Sequence, residues 1–217
     1  MRKLLFINLV VALGIANANI LVFQAVLTEK EFNQQDSSPC VIGDSSCKIG
    51  LLPGKTELPN GNVGSYDALS PVYTVDQIRL AVGNDFFLGL DVNQTSVNQT
   101  LSLVEILINL GGGFTVRDSF SSNPAAIVPP TVGGGNGTGY ADYTLTNVTT
   151  LAGLAGNTTV QFHLVMPLVN DGQEQLFLIP NGGGGGGAVV PEPASMMLFG
   201  GGLIGLAVAF RKKLVKR

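Results

Sequence analysis

Between residues 71 and 180, apolar and polar positions alternate in short runs separated by turn-forming residues. Residues 101–108 present Leu101, Leu103, Glu105 and Leu107 on one face and Ser102, Val104, Ile106 and Ile108 on the other. Its length and β-branched content make this run a strand rather than a helix. Gly111, Gly112 and Gly113 then force a turn, and Phe114-Thr115-Val116-Arg117 starts the next strand. Residues 86–92 form a short apolar strand ending in turn residues, and 140–148 alternate again with Thr and Tyr prominent. Residues 160–169, Asn170-Asp171-Gly172 and 173–179 read as strand, turn, strand, because Asn, Asp and Gly tolerate positive φ. Residues 121–139, with Pro124, Pro129 and Pro130, read as a long loop joining sheets. No segment predicts a convincing amphipathic helix.

This spacing predicts an all-β fold, a β-sandwich or jelly-roll-like passenger domain over residues 71–180. About 110 residues suffice for one such core. The domain is expected to fold alone, with no metal and no cofactor. Residues 19–70 read as a loop-rich segment in front of it, with turn clusters such as Pro59-Asn60-Gly61-Asn62.

Hydrophobicity and charge at the two ends change the picture. Arg2 and Lys3 precede an apolar stretch at 4–15, and Ala16-Asn17-Ala18 fits the small-x-small pattern of signal peptidase. Residues 1–18 are therefore expected to be a signal peptide that takes the chain to the general secretion machinery. Residues 194–210 carry no charge and would span about 25 Å as a helix, near the lower limit for a membrane crossing. Arg211, Lys212 and Lys213 follow as a basic stop-transfer cluster that stays in the cytoplasm. A C-terminal transmembrane helix is thus expected, joined to the body by a Gly-rich tether at 181–189. The body between the ends holds five basic and fourteen acidic residues, a net charge of −9. That balance argues against nucleic acid as a partner, because phosphate binding needs Lys and Arg on the folded part.

Cys40 and Cys47 flank a turn-rich hexapeptide, and in an exported chain such a pair closes a disulfide. The stretch from Gly50 to Thr56 looks like a phosphate-binding loop, but it has three residues between its glycines where that loop needs four. Five Asn-x-Thr triplets, at Asn93, Asn98, Asn136, Asn147 and Asn157, fit a glycan-acceptor pattern of low specificity. Calcium binding by Asp91, Asn93 or Asp171 is weighed and set aside, since these read as solvated turn residues without the dense acidic spacing of a calcium loop. His163, the one histidine, sits in an alternating strand and reads as a surface or rim residue. No nucleophile elbow accompanies it, so no enzyme is expected. Paired carboxylates of a carbohydrate-active enzyme remain the alternative, because the fold sets their separation.

Val190-Pro191-Glu192-Pro193, the Gly-rich apolar segment after it and the Arg211-Lys212-Lys213 cluster together resemble the PEP-CTERM sorting signal of bacterial envelope proteins. The resemblance covers residues 189–217, with a basic end that continues through Leu214-Val215-Lys216-Arg217. It implies recognition by an exosortase, transient anchoring in the inner membrane, removal of the tail and delivery to the cell surface or an exopolysaccharide matrix. The family shares its tail and not its bodies, so the resemblance leaves the passenger unassigned; its β pattern, scarce charge and lack of a catalytic constellation favour a non-catalytic surface or matrix protein, with exopolysaccharide as its partner class.

Overall fold

The computed structural model describes residues 19–26, 31–59, 63–93, 98–129, 139–169 and 172–182. The signal peptide expected at 1–18 lies outside the described residues, and so does the tail with Val190, Pro191, Glu192, Pro193, Arg211, Lys212 and Lys213. Among the described residues no helix is long and apolar enough to cross a membrane.

The alternating runs become two sheets. The first is ordered β1 (Asn19–Ile20), β9 (Phe114–Val128), β8 (Gln99–Asn109), β11 (Thr159–Val169) and β5 (Gly64–Leu69), with β6 (Tyr73–Thr74) also paired to β11. The second is ordered β2 (Val22–Ala25), β10 (Tyr143–Thr150), β7 (Asp85–Asp91), β12 (Gln175–Pro180), β3 (Cys40–Gly43) and β4 (Thr56–Glu57). Their inner faces meet in one core. Val104, Ile106, Phe162 and Leu164 enter it from the first sheet, and Phe86, Leu88, Leu145 and Leu178 from the second. The rings of Phe86 and Phe162 meet across the gap at 6.1 Å. The protein is therefore all-β, built as a sandwich.

Three expectations need correction. The division at residue 71 is not a boundary in the strand pairing. β5 pairs with β11, β3 with β12 and β2 with β10, and Val41 and Ile42 are fully buried in the common core. Residues 71–180 alone would lose a neighbour from both sheets. The second correction is the loop expected at 121–139, because β9 continues to Val128. Proline is tolerated there for two reasons. β9 has only the two-residue β1 on its other side, and its pairing with β8 shifts register between the Leu101–Ala126 and Leu103–Ser121 pairs. Third, a helix, α1 (Val75–Val82), follows β6. Thr74 accepts from the Gln77 amide at 3.2 Å while Gln77 accepts from the Thr74 amide at 2.8 Å, a reciprocal cap that satisfies two donors at the helix start. Val75, Ile78 and Val82 face the core.

The outer face of the second sheet is also covered. Phe177 and Ile179 of β12 point away from the main core, into a smaller cluster with Cys40, Cys47 and Ala141. Phe32 and Phe87 flank that cluster edge to face at 5.3 Å. The expected Cys40–Cys47 disulfide is present, with its Cα atoms 5.8 Å apart. Two glycines make room under this cap, one for the disulfide and one for the Phe177 ring. A Cβ on Gly43 would lie 2.8 Å from the Cys40 sulfur, and one on Gly89 would lie 2.7 Å from the Phe177 ring. The stretch that mimics a phosphate loop serves this cap, since Lys55 Nζ donates to the Cys47 carbonyl.

Candidate functional site

A row of polar side chains crosses the covered face of the second sheet at its loop end. Gln175 of β12 stands opposite Asp91 of β7. On the other side of β7, Asp142 lies just before β10, outside the regular pairing, and its amide donates to the Leu90 carbonyl at 2.9 Å. The backbone N–H of Val92 donates to Asp142 Oδ2 at 2.7 Å, which holds that carboxylate against the end of β7. At the far side of the row, Gln175 Nε2 donates to Asp44 Oδ2 at 3.2 Å. Asp44 Oδ1 in turn accepts from the Cys47 amide at 2.8 Å, which links the row to the disulfide loop.

Asp91 is only 2% exposed and accepts from the Gly139 amide at 2.9 Å. Burial pushes its pKa up to about 8, helped by the charge of Asp142 and more weakly by Glu174 and Asp44, while the Gly139 amide pulls the other way. None of the ion pairs among the described residues involves Asp91. Gln175 is 3% exposed, and its Oε1 has no hydrogen-bond partner among the described residues.

A second buried acid faces the other way. Glu174 is fully buried and receives Gln99 Nε2 of β8 at 2.5 Å and the Asn93 amide at 2.6 Å. Burial lifts its pKa to about 7 against the pull of these two donors. Tyr66 lies nearby and donates to the Gly172 carbonyl at 2.8 Å, and burial followed by the Glu174 charge raises its hydroxyl to about 12. Together these contacts tie the ends of β7, β8 and β12 to β5.

The outer face of the first sheet carries a different cluster. His163 of β11 stands opposite Glu105 of β8, with Nδ1 3.0 Å from Glu105 and Nε2 2.8 Å from Asp67 of β5. Burial alone would lower the imidazole pKa, but the bonds and charges of Asp67 and Glu105 outweigh it and raise it. The rim position expected for His163 agrees with this half-buried setting. The two acids around it carried no signal in the sequence, because cross-strand neighbours depend on register.

Of the residues weighed for calcium, Asp171 lies outside the described residues, and Asp91 is not a solvated turn residue. Asp142, Gln175 and Gln99 escape sequence reasoning altogether. Among the described residues no three His, Cys, Asp or Glu side chains are grouped as a metal cage. Two open hollows lie elsewhere. One of about 550 Å³ borders Asn109 and Thr159, and one of about 490 Å³ borders Ile20 and Phe120. Neither lining holds an acid or a histidine.

No curated protein and no solved structure matches the chain. Residues 189–213 match the family model of the PEP-CTERM protein-sorting motif. The chain thus carries a PEP-CTERM sorting motif in its tail, which implies an exported protein targeted to an exosortase.

Proposed function

We propose that the protein is a non-catalytic component of the bacterial cell surface or exopolysaccharide matrix. It is exported behind a cleaved signal peptide, held in the inner membrane by its tail and freed from that tail by an exosortase. The observation that carries the sorting part is the motif at 189–213. A cysteine pair joined in a disulfide fits an oxidising destination.

The passenger role rests on how its carboxylates are used. An enzyme acting on glycosides needs two carboxyls facing each other across a groove that a sugar can enter. Asp91 and Glu174 have the raised pKa of an acid catalyst, but both are buried, both accept backbone N–H groups and they face opposite ways. Their work is to hold strand ends together. A rigid sandwich with such ends suits a packing or binding module in a matrix, with exopolysaccharide as the ligand class.

The test is intact mass and cell fractionation of the full chain in a host that carries an exosortase. The wild-type protein should lose its tail and leave the inner membrane. Alanine at Pro191, Glu192 and Pro193 should leave export intact and trap the full-length species there. Normal processing of that variant, or a wild-type surface protein that keeps residues 196–217, would contradict the sorting proposal. Binding of the released body to extracellular polysaccharide from the same host checks the matrix role separately.

A further inference from the structure

We propose that the row on the covered face of the second sheet is a calcium site, with the carboxylates of Asp91 and Asp142 and the carboxamide oxygen of Gln175 as its protein ligands. The first ground is register. Gln175 is the cross-strand partner of Asp91, and Asp142, with its amide on the Leu90 carbonyl and its carboxylate on the Val92 amide, brackets Asp91 from the other side. Directly opposed side chains of neighbouring strands have Cβ atoms about 5 Å apart, within the span that one large cation can bridge.

The second ground is independent of the acids. Gln175 is 3% exposed, and its nitrogen is turned to Asp44. The oxygen of that carboxamide diverges from its nitrogen and has no hydrogen-bond partner among the described residues, and the residue across the strand from it is Asp91. A buried amide oxygen without a donor loses its hydration for nothing in return. Beside a carboxylate, a proton or a cation placed between the two oxygens satisfies both.

The ligand chemistry selects the ion. The donors are all oxygen, two carboxylates and one amide, with neither sulfur nor imidazole in the row. That set suits a hard cation, and an irregular site across a sheet suits calcium better than magnesium, which demands near-ideal octahedral geometry. The ion would brace β10, β7 and β12 at the end where Asp44 ties them to the disulfide loop. This site does not depend on the fate of the tail.

The experiment uses the full chain in its oxidised form, purified in detergent and stripped with EDTA. Extracellular calcium modules bind at about 0.1–1 mM, so 10 mM calcium chloride at pH 8 should raise the melting temperature by about 3–10 °C. Titration calorimetry on the same protein should find one calcium per chain. Asp91→Asn and Gln175→Leu should each lose most of the thermal response. Asp67→Asn, on the other sheet, should keep it. Should a variant of the row fail to fold, the wild-type stoichiometry decides. No calcium heat and no thermal shift in the wild type would overturn the proposal. So would an unchanged response in a folded Asp91→Asn protein.

Discussion

On the first sheet, His163 stands between Glu105 and Asp67. On the second, Asp91 stands between Asp142 and Gln175. In the first, Glu105 and Asp67 come from the two strands that flank β11; in the second, Asp91 and Asp142 lie next to each other, where like charges repel. The first cluster brings its own cation, an imidazole whose pKa is raised by its neighbours, and it lies on a face open to water, with Asp67 78% exposed in its side chain. In the second, Asp91 is buried and has no ion pair among the described residues. Covering a sheet face thus turns an ordinary cross-strand contact into a costly one. A proton or a bound cation must then do what solvent and histidine do on the open face.

The largest expected difference between the faces comes from packing. Phe177 is fully buried under the cap, so Phe177→Ala should cost about 3–5 kcal/mol in urea unfolding. Leu69 on the open face is 46% exposed, and Leu69→Ala should cost less than about 1 kcal/mol. Equal losses would mean that the second face is not covered in solution.

The crosslink ranks next. Replacing Cys40 and Cys47 with serine opens a short loop, and stability should fall by about 2.5 kcal/mol from the entropy of the unfolded chain alone. The loss should come with faster hydrogen exchange at the Cys47 amide, which Asp44 holds. Unchanged exchange there would separate the crosslink from the row it supports.

The smallest effect belongs to the open cluster. His163→Gln should cost less than about 1 kcal/mol, because exposed pairs are weak. Its sign with pH is fixed. The folded pKa of His163 is raised, so its contribution is complete below about pH 6.5 and is lost as pH rises through the folded value. Unfolding of the wild type and His163→Gln at pH 5.5 and pH 9 checks it, and the gap should close at the higher pH.

What the sequence made legible follows from what alternation encodes. Residues 101–108 and 160–169 declare their faces because the inner residues are apolar, and they appear as β8 and β11. β9 was hidden by Pro124, which reads as a loop unless one knows that the strand runs near an edge. α1 was hidden by its two turns, although Thr74 and Gln77 carry a capping box in plain view. Cys40 and Cys47 were readable from spacing and compartment, and the tail from its order of proline, apolar run and basic cluster. The row was not. Asp91, Asp142 and Gln175 lie far apart along the chain, and only strand order and register bring them to one face. Their burial depends on a cap that looks like loop in the sequence.

The most direct test of the contrast is the stability of the wild type relative to Asp91→Asn, measured by urea unfolding in EDTA from pH 5 to pH 8.5. Asp91 has a folded pKa of about 8 against about 3.8 for the free side chain, so the folded protein holds a proton that the unfolded chain has released. Its ionisation therefore erodes stability as pH rises, with the full cost reached only above about pH 8. Asparagine does not titrate, and Glu174 contributes to both proteins and largely cancels. The wild type should lose on the order of 3 kcal/mol relative to the variant across this range. A difference that stays level with pH would show that Asp91 is already neutralised by the chain itself, and the contrast between the two faces would fall.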